Sequence, residues 1–109
     1  MIGAIIGDIV GSRFEFGAAP QEGFELFTPD CSYTDDTVCT VAVADAVLNG
    51  RSYQESLLDW CRRYPDPMGG YGNRFNRWIH SEHPQPMDSF GNGAAMRVSS
   101  IGWLFDEWE

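Results

Sequence analysis

Apolar residues recur with a helical period through most of the chain. Ile2, Ile5, Ile6, Ile9 and Val10 surround Gly3, Gly7 and Gly11, which stand four apart and so fall on one stripe of a helix predicted over 2–16. Each glycine costs about 1 kcal/mol of helix propensity relative to alanine, so the stripe needs either a packing reason, such as close approach of a neighbouring helix, or a ligand reason. Residues 17–33, with Pro20, Gly23 and Pro29, follow neither period and read as a loop. Thr34 then caps a helix whose first turn holds Asp35 and Asp36, suited to the positive end of the helix dipole. Val38, Val41, Ala42, Asp45 and Leu48 continue it at helical spacing, and Asn49-Gly50 stops it. Ser52 and Glu55 open the next helix with a capping-box pattern; Leu57, Leu58, Trp60, Cys61 and Tyr64 form its apolar face, and Pro65 ends it. After a turn over 65–72, residues 73–81 predict a short helix burying Phe75, Trp78 and Ile79. Residues 82–90, with Pro84 and Pro86, read as a loop, and Ala94, Val98, Ile101, Phe105 and Trp108 mark a last helical stripe. No segment alternates with period two. The pattern therefore predicts one all-α domain over 1–109.

The last stripe stops at Glu109 without a capping glycine or a following proline. This leads to the expectation that a larger helical domain has been cut here. Apolar surface left uncovered would then drive self-association or binding of a complementing chain.

Composition narrows the function. The seven basic residues are all arginines, scattered from Arg13 to Arg97, against sixteen acids, for a net charge of −9. Phosphate neutralisation needs clustered cations, so nucleic acid is excluded as a partner; a metal or a cationic partner suits the chain better. No apolar run approaches the roughly 20 residues that span a bilayer, and no export signal is visible, which gives a cytoplasmic expectation without a membrane partner. Cys31, Cys39 and Cys61 are odd in number and lack metal-ligand spacing, so they read as reduced thiols acting as small buried hydrophobes. His80 and His83 lack a third ligand at matching distance, which argues against zinc. Trp60, Trp78, Trp103 and Trp108 read as core or interface residues.

Two segments carry chemistry. Tyr33-Thr34-Asp35-Asp36-Thr37 crowds carboxylates and hydroxyls at a helix start, a hard-oxygen set suited to Mg²⁺, Mn²⁺ or Ca²⁺, although the same residues also make an ordinary helix cap. Asp8 and Glu15 are candidates for a nearby acid or base. Ser89-Phe90-Gly91-Asn92-Gly93-Ala94-Ala95-Met96-Arg97 is a glycine-rich turn entering a helix, able to offer backbone N–H groups to an anion, or else a plain loop with Asn92 as cap.

Taken together, Gly7-Asp8-Ile9-Val10-Gly11 with Glu15 downstream, Tyr33-Thr34-Asp35-Asp36-Thr37, and Phe90-Gly91-Asn92-Gly93-Ala94-Ala95-Met96-Arg97 resemble the ADP-ribosylglycohydrolase family, in the family's order and over nearly the whole chain. The resemblance implies a helical fold around a two-metal centre, usually magnesium with manganese as an alternative, that removes ADP-ribose from a modified protein side chain or a small-molecule conjugate. On the family pattern Thr34, Asp35 and Asp36 would be metal ligands and Glu15 the acidic residue on the loop beside the metals. Gly91, Asn92 and Gly93 would form the turn against the ADP-ribose phosphates. Either Asp35 or Glu15 would handle the proton as the glycosidic bond breaks. Family members are longer and add a second acidic cluster that nothing after Arg97 supplies, so an inactive ADP-ribose-binding or oligomerising fragment stands as the alternative to a hydrolase.

Overall fold

The computed structural model describes residues 1–86, 93–98 and 101–102. They form the helices α1 (Ile2–Gly11), α2 (Asp35–Asn49), α3 (Tyr53–Arg63), α4 (Asn73–Ile79) and α5 (Gly93–Met96), with a 3-10 turn at Ser12–Phe14. Among these residues there is no strand, only an isolated parallel bridge between Thr34 and Met68. The all-α expectation is met. None of the described helices is long and apolar enough to cross a membrane.

The helix ends follow their sequence signals. Thr34 caps α2 by accepting the Asp36 N–H, and Gly50 closes it in the left-handed conformation at φ 64°. Ser52 caps α3 by accepting the Glu55 N–H at 3.1 Å. The first helix is shorter than its pattern, ending at Gly11 rather than running to residue 16. Ser12 is the cause: its hydroxyl donates to the Ile9 carbonyl at 2.7 Å and accepts the Ser32 N–H at 3.1 Å, so a side chain takes over where the helical ladder would continue.

The core lies where α2, α3 and α4 meet, built from Val38, Cys39, Cys61, Tyr71 and Ile79, with Leu57, Trp60, Phe75 and Trp78 packed around it. Cys39 and Cys61 occupy it as the small buried residues expected. The Cys39 thiol is pushed up by its hydrogen bond with Cys61 and by burial, which keeps it protonated and inert. Cys31 departs from that expectation: it is half-buried in the 17–33 loop beside Arg13 and Thr28.

The face that α2 buries also differs from the periodic reading. Val38, Cys39, Ala42, Val43 and Ala46 are enclosed, whereas Leu48 is 63% exposed and Asp45 lies at the rim. Alanines and a cysteine let neighbouring elements approach closely, and the buried Ser56 on α3 uses that closeness to donate to the Ala42 carbonyl at 2.5 Å.

Asp45 ties the α2–α3 hairpin together from the rim. Its carboxylate accepts from Trp60 Nε1 at 2.8 Å, from Asn49 Nδ2 at 2.5 Å and from Arg51 Nη1 at 2.6 Å, and Arg51 also reaches Asp59 at 3.1 Å. The Trp60 hydrogen bond, with those of Asn49 and Arg51, holds the Asp45 carboxyl down at about 2. A carboxyl lowered by folding contributes stability above its unfolded value near 4, and that contribution disappears as pH falls through about 2. Asp45→Ala should therefore lower the urea midpoint at neutral pH and remove this part of the loss between about pH 4 and 2.

Candidate functional site

The site is assembled around the N-terminus of α2. Asp8, on α1, turns its carboxylate onto that terminus and takes four hydrogen bonds. Its Oδ1 accepts from Thr34 Oγ1 at 2.5 Å; its Oδ2 accepts from Thr34 N at 2.9 Å, Thr37 N at 3.3 Å and Thr37 Oγ1 at 2.6 Å. The last turn of α1 is thereby clamped to the first turn of α2, with a negative charge at the positive end of the α2 dipole. Thr34 is buried, and its Oγ1 also accepts the Asp36 N–H at 3.2 Å.

Around this clamp the acids collect. Glu15, just beyond the 3-10 turn, Asp36 and Asp8 line one cleft of about 300 Å³, floored by Gly7 and Gly11. Here the glycine stripe receives its explanation. Nothing in the described chain comes within 4 Å of a Cβ built at Gly3, Gly7 or Gly11, so the expected close helix packing is absent, and at Gly7 and Gly11 the missing side chains open the cleft instead.

The electrostatics follow from crowding. Burial, then the charges of Asp35, Asp8 and Glu15, pushes the Asp36 carboxyl up to about 6, while Arg97 opposes the rise. Asp35 is raised by burial and by Asp8, and Glu15 by burial, Asp35 and Asp8. The charge of Asp8 thus acts on all three, and the Arg97 guanidinium offsets Asp35 and Asp36. Arg97 follows α5, lies with its guanidinium carbon 4.8 Å from the Phe75 ring centre and buries an Nε that has no hydrogen-bond partner.

The loop bearing Glu15 is braced by the neighbouring Arg13. That guanidinium donates to the Glu25 carbonyl, to Thr28 Oγ1 at 2.5 Å and to Cys31 Sγ at 3.7 Å, and it lies over Phe14. On the other side Met68 N donates to the Tyr33 carbonyl at 3.1 Å. Gly69, at φ 79° in the turn that makes this approach, takes a backbone conformation unfavourable to other residues.

The donor set fits a hard cation in kind. It consists of oxygens, and Thr34 Oγ1, its proton directed at Asp8, can face a cation only as an oxygen donor. In number it is partial: among the described residues no three acidic, histidine or cysteine side chains gather closely enough to hold an ion. Of the residues singled out in the sequence, Glu15 and Asp36 share a cleft and Asp35 interacts electrostatically with both. Thr34 serves as the cap. Gly93 opens α5, and Thr40 Oγ1 donating to the Met96 carbonyl at 3.4 Å ties that helix to α2. Gly91 and Asn92 lie outside the described residues, as do Trp103, Phe105 and Trp108 of the last stripe. Spacing alone understated Asp8 and Arg97. The signal for Asp8 was its place between Gly7 and Gly11, where an acid has no apolar partner.

A small helical scaffold that presents crowded carboxylates over a glycine floor is the class defined by fold and site. A family model described as ADP-ribosylglycohydrolase matches residues 1–109, and the chain belongs to that family. Among curated proteins it is similar to ADP-ribosylhydrolase ARH3 of Xenopus tropicalis, 27% identical over 135 residues, covering 96% of this chain and 38% of the relative. No solved structure matches the chain.

Two outcomes test the site. Asp8→Ala leaves the Thr34 and Thr37 donors without their acceptor and should cost about 2 kcal/mol or more by chemical denaturation. In metal-free buffer the raised Asp36 favours the folded state below its unfolded value near 4, and this advantage is lost as pH rises through about 6. The chain should therefore lose about 1 kcal/mol from this group between pH 4 and 7, allowing for solvent screening, and Asp36→Asn should abolish that loss.

Proposed function

We propose that the chain is the acidic, substrate-facing part of a magnesium-dependent hydrolase that cleaves the glycosidic bond of an ADP-ribosylated protein side chain or small-molecule conjugate. The observation that carries this reading is the convergence of Asp8, Glu15, Asp35 and Asp36 at the N-terminus of α2, with the carboxyls of Glu15, Asp35 and Asp36 raised by burial and by their acidic neighbours. Such a cluster is costly unless a cation or a proton occupies it.

Thr34, Asp35 and Asp36 would hold Mg²⁺ or Mn²⁺, with the remaining ligands coming from water, substrate or acids outside residues 1–109. A divalent ion there would orient ribose hydroxyls and a water at the anomeric carbon. Glu15 suits the proton: its carboxyl lines the cleft and is raised by burial and by the charges of Asp35 and Asp8, which favours its holding a proton as the bond to the leaving group breaks. The negative cleft would stabilise positive charge developing on the ribose ring. Asp8 positions rather than reacts, because its oxygens are committed to Thr34 and Thr37. The turn at Gly91, Asn92 and Gly93 would receive the ADP-ribose phosphates, a role supported by the tie of α5 to the helix bearing Asp35 and Asp36. The chain spans 38% of its relative's length.

Calorimetry of Mn²⁺ or Mg²⁺ should give heat with the wild-type chain and lose it in Asp35→Ala/Asp36→Ala. Equal, negligible heats in both would remove the metal assignment. Release of ADP-ribose from serine-linked or arginine-linked conjugates should require the metal, stop with EDTA, and fall on the order of 100-fold in Glu15→Gln. Binding of ADP-ribose with no turnover under any metal would instead mark a binding module.

A further inference from the structure

Arg97 holds a place in the fold that the core and the carboxylate cleft do not account for. It follows α5, and α5 is fixed to α2 by Thr40 Oγ1, which donates to the Met96 carbonyl at 3.4 Å. On α2 Thr40 stands one helical turn from Asp36, and Cys39 one turn from Asp35, so this tie delivers Arg97 to the flank of α2 that carries both acids. On its other side the guanidinium carbon lies 4.8 Å from the ring centre of Phe75, on α4.

Charge, rather than hydrogen bonding, explains the placement. The Arg97 Nε is buried without a hydrogen-bond partner, and among the described residues Arg97 enters no direct ion pair. Desolvating a donor and leaving it unmet is unfavourable, and two attractions offset it: the face of Phe75, and the field of Asp35 and Asp36, on which Arg97 acts in return. The effect is selective, since Arg97 is not among the charges that shift Glu15. A guanidinium beside two empty carboxylates is attracted to them. A divalent ion seated on the same carboxylates cancels that attraction, because its own charge repels the guanidinium.

We propose that Arg97 is the internal counter-cation of the Asp35–Asp36 pair and sets the affinity of that pair for a divalent ion, which on binding forfeits the attraction between the guanidinium and the acids. The inference rests on the metal assignment made above and adds to it a residue that touches no metal. Its effect has the opposite sign to that of a ligand: loss of a ligand weakens binding, whereas loss of Arg97 strengthens it.

The test is calorimetric titration of Mn²⁺ into the wild-type chain and into Arg97→Met, Arg97→Gln and Arg97→Lys at about pH 8, where Asp36 is ionised. Both neutral variants should bind Mn²⁺ roughly fivefold or more tightly than wild type, and Arg97→Lys, which keeps the charge, should stay within about twofold of it. The gap between wild type and the neutral variants should narrow as salt is raised. Circular dichroism checks folding, and either neutral variant suffices for the comparison. An arginine that serves only to hold α5 in place gives the reverse result, because its loss loosens the flank of α2 and weakens binding. Affinity unchanged or weakened in the neutral variants therefore overturns the proposal and leaves the metal assignment standing. Negligible heat from the wild-type chain and from every variant removes the metal assignment and this inference together.

Discussion

The interaction on which the rest depends is the carboxylate of Asp8 set against the first turn of α2. Four donors from Thr34 and Thr37 converge on it, so one side chain joins α1 to α2, completes the capping of α2 and fixes where the next two acids stand. Remove that anchor and Glu15, at the far end of the 3-10 turn, loses its fixed relation to Asp36. Functional geometry and local stability are thus held by the same four hydrogen bonds. This is why an acid that looks catalytic in the sequence is better understood as the piece that positions the others.

A price accompanies this arrangement: like charges are gathered around one cleft, and the raised carboxyls of Glu15, Asp35 and Asp36 record burial first and then the repulsion. Two features moderate it. The α2 dipole favours negative charge at its N-terminus, and the Arg97 guanidinium, laid over Phe75, opposes the rise at Asp35 and Asp36. Between α2 and α3 the contact is made by small residues, and the helices approach closely enough for Ser56 to bond the Ala42 carbonyl of the α2 backbone.

Much of this was legible one residue at a time. Thr34, Ser52, Asn49-Gly50 and Pro65 announce helix ends because capping and chain reversal are local chemistry, satisfied within a few residues. Asp35 and Asp36 are readable as a candidate site because adjacent carboxylates at a helix start are already close by covalent geometry. What was misread depended on distant partners. Leu48 has the right spacing for the core yet is exposed, because the last turn of α2 buries Ala46 instead. The spacing of Gly7 and Gly11 left a packing and a ligand reason open, and the structure places both in the lining of a cleft.

By itself the sequence determined the helical character, the helix boundaries from residue 34 to 65 and the oxygen-rich chemistry around residue 35, since these rest on periodicity and on groups a few bonds apart. Tertiary structure alone decided that Asp8 binds Thr34 and Thr37 across more than twenty residues, that Glu15 faces Asp36, and that Arg97 sends its charge toward both aspartates. The physical reason is that capping is set by neighbours in the chain, whereas repulsion between carboxylates is set by distance through space, which no spacing along the chain encodes.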